Sequence, residues 1–101
     1  MIDRDGDRFR VHGPLTLRSA AALLRRGREL FNEPVSRVDL AGVGEIDSAA
    51  LGLLIEWLRE ARAHKREIVY LNLPANLESL GTLYGVLDLL PRAEARAQTA
   101  P

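Results

Sequence analysis

Asp47-Ser48 places an acid beside a hydroxyl, just where a glycine-broken segment gives way to an apolar run. A serine becomes a nucleophile when a nearby base takes its proton. The chain has two histidines, His12 and His64, and neither lies next to Ser48 in sequence. No Gly-x-Ser-x-Gly elbow surrounds Ser48 either. Neither histidine has another histidine three or four residues away, which speaks against a metal site. Gly42-Val43-Gly44 ahead of a helix has the outline of a phosphate loop. It lacks Gly-Lys-Ser/Thr and a third glycine, and Glu45 and Asp47 would repel a phosphate. Arg25, Arg26 and Arg28 form the densest basic cluster, with no aromatic residues interleaved for base stacking, which fits a solvated helix face. These residue types point away from an enzyme, a cofactor or nucleic acid.

Composition agrees. The chain has 101 residues, with 14 Lys+Arg against 14 Asp+Glu, so it offers no net field for a polyanion. At 47% hydrophobic and 28% charged it suits one globular domain rather than a disordered chain. Having no cysteine, it can form neither disulfides nor thiolate metal sites. The charged stretch 1–8 has no apolar core for export, and the longest apolar run, residues 49–55, is far short of the roughly 20 residues of a membrane span. A cytoplasmic protein is expected, meeting a membrane only through a partner.

The elements that must position Asp47 and Ser48 follow from periodicity. Residues 7–12 alternate as a half-buried strand with Phe9 and Val11 inward, Gly13-Pro14 breaks it, and Leu15 adds a short second strand. Thr16 suits a helix N-cap, and Leu17, Ala20, Ala21, Leu24 and Phe31 recur at helical spacing over 17–31. Residues 35–41 form a strand with Val38 and Leu40 in the core, and residues 42–46 a loop. A longer helix spans about 47–63, with Asp47 or Ser48 as its cap. Residues 68–73 read as a central strand and 77–84 as a third helix closed by Gly85, while 86–90 form a last strand or turn. Strand–helix–strand units of this length imply parallel pairing. The fold class is therefore α/β, a small mixed sheet of four to five strands with three helices packed against it.

On a helical wheel, Ala50, Leu51, Leu54, Trp57, Leu58 and Ala61 share one side of the second helix and should face the sheet. Ala49, Gly52, Leu53, Glu56, Glu60 and Ala63 fall on the other. Ser48, Ala49, Gly52 and Leu53 thus make a small, smooth, uncharged first turn. Such a patch admits close approach by another protein, or tight packing by a neighbouring loop.

The run Val38-Asp39-Leu40-Ala41-Gly42-Val43, then Ile46-Asp47-Ser48-Ala49-Ala50-Leu51-Gly52-Leu53-Leu54, resembles the signature of STAS domains. The resemblance covers about residues 7–91 and implies a single STAS domain over 1–91, while 92–101, rich in Ala and Arg, is expected to be a disordered tail. In anti-sigma factor antagonists of that family the second hydroxyl of Asp-Ser-Ser/Thr-Gly-Leu takes a phosphate. Ala49 stands there in this chain and cannot. Asp47-Ser48-Ala49 is similar instead to the MlaB-like version, and Leu80, Leu83 and Tyr84 resemble its Leu-x-x-Leu-Tyr pattern. Ala50 departs from the usual glycine.

What this implies is a non-enzymatic subunit on the ATPase of a phospholipid-trafficking ABC transporter, peripheral to the inner membrane through that partner. Ser48 would be the central polar contact, Ala49, Gly52 and Leu53 the apolar floor, Glu56 a rim charge and Asp47 the helix cap. The alternative is an anti-sigma factor antagonist facing a kinase-like anti-sigma factor. A small nucleotide-binding or hydrolytic enzyme is the third reading.

Overall fold

The computed structural model describes residues 2–6, 8–32 and 34–93, with residues 29–31 by backbone alone. Five strands form one sheet in the order β1 (Ile2–Asp5), β2 (Arg8–Leu15), β3 (Val35–Ile46), β4 (Glu67–Leu71) and β5 (Arg92–Ala93). β1 pairs antiparallel with β2, and every other pair is parallel. The helices are α1 (Leu17–Arg26), α2 (Ser48–Ala63) and α3 (Ala75–Leu83), with short 3-10 turns at Gly27–Asn32 and Leu87–Leu89.

Alternation along the strands puts the core on one face of the sheet. Phe9, Val38 and Tyr70 are aligned across β2, β3 and β4, and all three are buried. They belong to one cluster with Leu23 of α1, Leu54 and Trp57 of α2, and Leu77 of α3. The next row, Arg10, Asp39 and Leu71, lies on the opposite side. Burial there pushes the Asp39 carboxyl upward. Hydrogen bonds from the Asn72 amide and the Ala41 N–H, both at 3.0 Å, and the charges of Arg8 and Arg10 outweigh it, so the carboxyl ends below its ordinary value.

Four expectations need correction. β2 is one strand through Gly13-Pro14 rather than two, and the strand ahead of it is β1. Residues 42–46 are not a loop: β3 runs on to Ile46 because His12, Gly13 and Leu15 pair with Gly42, Val43 and Ile46 after register shifts. Such irregularities are where strands tolerate glycine. A Cβ on Gly42 would come within 2.9 Å of His12 Nδ1 and 3.1 Å of the Val11 carbonyl oxygen, so close approach of the two strands requires the glycine.

The remaining two concern α1 and the C-terminal stretch. α1 ends at Arg26, not residue 31, and it buries Leu23 while Leu17 and Ala21 are exposed. Leu87–Leu89 is a 3-10 turn, the second of the two alternatives for 86–90, but Arg92–Ala93 is strand where tail was expected. The rest of that expected tail, 94–101, lies outside the described residues, as does the expected strand position at residue 7.

Candidate functional site

The first turn of α2 is built by Asp47, not Ser48. Asp47 is extended (φ −138°, ψ −171°), and its Oδ1 accepts the Ala49 N–H at 2.8 Å. That satisfies one of the amides a helix start leaves without a partner. With the capping done by its neighbour, Ser48 is exposed at the first helical position. Gly52, one turn on, is exposed too, and a Cβ there would meet no atom within 4 Å.

The other predicted contact residues turn partly inward. Ala49 is half-buried. Glu56 is half-buried and paired with Arg59 at 3.3 Å. Leu53 is only 4% exposed, against the exposure expected of it. Leu53 lies on the flank of α2, one turn before Trp57, rather than opposite the sheet. That flank is covered by α1: the Trp57 Nε1–H points at the Leu24 carbonyl oxygen, 3.5 Å away, and Leu53 shares a buried cluster with Leu23. The six residues expected to face the sheet are all buried.

On its other flank, α2 faces α3 and the turn that follows it. Ser48 and Tyr84 both line two adjoining grooves here, one shared with Asn76 and Leu83, the other with Ile55 and Val86. Leu83 is 76% exposed and Tyr84 58% exposed, among the few large apolar side chains of the described residues to be so. Asn76 braces the groove by donating to the Gly44 carbonyl at 3.4 Å. Wheel reasoning on α2 alone missed Leu83 and Tyr84 as surface. The signal was the unpartnered apolar pair at the end of the third helix.

His64 caps the far end of α2, 16 residues from its start or about 24 Å at helical rise. His12 is in β2, with its Nε2 2.7 Å from Asp3 Oδ2. Among the described residues no group of three His, Cys, Asp or Glu could hold a metal ion. No helix among them is long and apolar enough to cross a membrane.

A family model described as Mlab, STAS domain matches residues 1–91. The chain belongs to this STAS domain family. Its mixed five-stranded sheet with three helices is the STAS fold, shared with solved anti-sigma factor antagonists. The unphosphorylated form of the anti-sigma factor antagonist SpoIIAA matches with TM-score 0.71 at 13% identity, over 98% of this chain and 91% of that one. The phosphorylated SpoIIAA of Bacillus matches with TM-score 0.67 at 13% identity, over 98% and 95%. An anti-sigma factor antagonist from Mycobacterium paratuberculosis gives TM-score 0.68 at 16% identity, over 91% and 81%. A search of curated proteins finds no match. STAS domains are typically non-enzymatic interaction domains, and at these identities the solved structures speak for the fold.

Proposed function

We propose that this STAS domain is an MlaB-like subunit that docks on the ATPase of a phospholipid-trafficking ABC transporter and supports it by binding. The observation that carries this reading is the exposed first turn of α2. Ser48 stands beside the exposed Leu83 and Tyr84, Gly52 is exposed one turn on, and Ala49 offers a methyl where a phospho-switch needs a hydroxyl. Glu56 is the rim charge, Ala49 is half-buried in the same turn, and Leu53 supports the helix from inside. By favouring one state of the ATPase, such a subunit shifts its population without doing chemistry. On this reading the protein is cytoplasmic and meets the inner membrane only through the transporter.

A second reading is favoured by the fold shared with SpoIIAA, namely an anti-sigma factor antagonist in partner switching. Ser48 would then be the remaining hydroxyl for a phosphate, which adds a charge of about −2 at pH 7.

Affinity purification of the tagged protein from its host, with mass-spectrometric identification, separates the two. An ABC ATPase with its permease supports the first reading, and a kinase-like anti-sigma factor with phosphate on Ser48 supports the second. Ser48→Arg and Tyr84→Glu should abolish capture while leaving circular dichroism and thermal stability unchanged, because both side chains are already exposed. Capture of the same partner by both variants would remove the surface from the argument.

A further inference from the structure

Asp47 does more than cap one helix. Its Oδ1 accepts the Ala49 N–H of α2 at 2.8 Å, and its Oδ2 accepts the Leu17 N–H of α1 at 3.0 Å, 30 residues away in sequence. Its own N–H donates to the Leu15 carbonyl at 3.2 Å, and its carbonyl accepts the Ala50 N–H at 3.0 Å. One residue is therefore fastened at four points, two within α2 and two to the corner where β2 becomes α1.

The α1 start needs such a partner. Thr16 and Ser19 hold each other: the Thr16 N–H donates to Ser19 Oγ at 3.0 Å and the Ser19 N–H to the Thr16 carbonyl at 3.0 Å, while the Ser19 hydroxyl donates to the Pro14 carbonyl at 2.9 Å. The first helical amide, on Leu17, goes instead to Asp47. A carboxylate between two helix N-termini is favoured by both dipoles. The bond fixes the Leu17 backbone, and the side chain it carries is 77% exposed. It lines a groove with Glu45 and Asp47, and Asp47 is also part of the groove that Ser48 shares with Leu83 and Tyr84.

We propose that Asp47 is a positioning residue that clamps the first turns of α1 and α2 together, and that it thereby holds Leu17 as a second apolar contact for the partner that reaches Ser48. The clamp stands on geometry alone. The contact rests on the docking function proposed above.

Amide hydrogen exchange of the full chain tests the clamp without any partner. Asp47→Ser keeps an oxygen for the α2 cap but has no second oxygen for Leu17. Exchange at Leu17 should speed up by about tenfold or more, the scale of one lost charge-assisted hydrogen bond, while Ala49 stays protected. Unchanged protection at Leu17 overturns the clamp, whatever the partner proves to be.

The contact is tested with the ATPase subunit that co-purifies with the wild type. Asp47→Ser and Leu17→Glu should each weaken its binding about tenfold or more, with Ala22→Glu, exposed elsewhere on α1, as the unaffected control. Full affinity in Leu17→Glu overturns the contact. If no ATPase co-purifies, the docking function and the contact fall together, and the exchange result still decides the clamp.

Discussion

Gly52 and Leu53 are adjacent in sequence, yet α2 sends one to solvent and the other into the core. A Cβ at Gly52 meets open space, and Leu53 is buried beside Trp57 and α1. Opposite outcomes follow from adjacent substitutions. Gly52→Ala should stabilise the domain by about 0.5–1 kcal/mol, because alanine loses less backbone freedom in a helix interior. Leu53→Ala should cost about 2–5 kcal/mol, through lost burial and the cavity left behind. Urea unfolding measures both, and a neutral Leu53→Ala would contradict the burial. A wheel divided into a sheet side and a solvent side has no place for a flank covered by another helix, and Leu53 falls there. Asp47 shows a different limit: its cap on α2 is legible from Asp-Ser before an apolar run, but its bond to Leu17 spans 30 residues and leaves no mark in local sequence.

Where elements end is decided by what they meet. The apolar spacing in 17–31 continues past Arg26, but α1 stops there and tightens into a 3-10 turn at Gly27. A Cβ on Gly27 would run into the indole of Trp57, so the glycine lets α1 close onto α2. Gly27→Ala should therefore cost about 1–3 kcal/mol by overpacking. In a Trp57→Leu background the indole is gone and the same change should cost much less, a coupling that a double-mutant cycle by thermal unfolding reads directly. Equal costs in the two backgrounds would place the strain elsewhere. The same dependence on partners explains β1 and β3. Ile2–Asp5 is three-quarters charged, and strands disfavour aspartate, so its pattern carries no strand signal. It is a strand because β2 offers an edge and Ile2 reaches the core. The glycines of β3 read as a loop until the register with β2 is known.

At the scale of the whole molecule, helix layer and sheet are joined by polar as well as apolar contact. Tyr70 in β4 is buried, and its hydroxyl donates to the Leu54 carbonyl of α2 at 2.6 Å. Its place in a central strand is legible from the dense apolar run around it, but this bond is not, since nothing local says which helix carbonyl lies above the ring. Burial pushes the Tyr70 phenol far above its ordinary value near 10. The raised value sets the sign. Below pH ~10 both folded and unfolded chains keep the proton and stability is unaffected. Above it the unfolded chain loses that proton while the folded chain retains it, so stability should fall with rising pH by up to about 1.4 kcal/mol per pH unit from this one group. Tyr70→Phe should cost about 1 kcal/mol at neutral pH through the lost hydrogen bond, yet lose less on going to pH 11 than the wild type does. Denaturant unfolding of the two proteins between pH 8 and about 11 measures the difference. Parallel stability curves would mean that Tyr70 ionises in the folded protein, and that the contact between β4 and α2 opens to water before the domain unfolds.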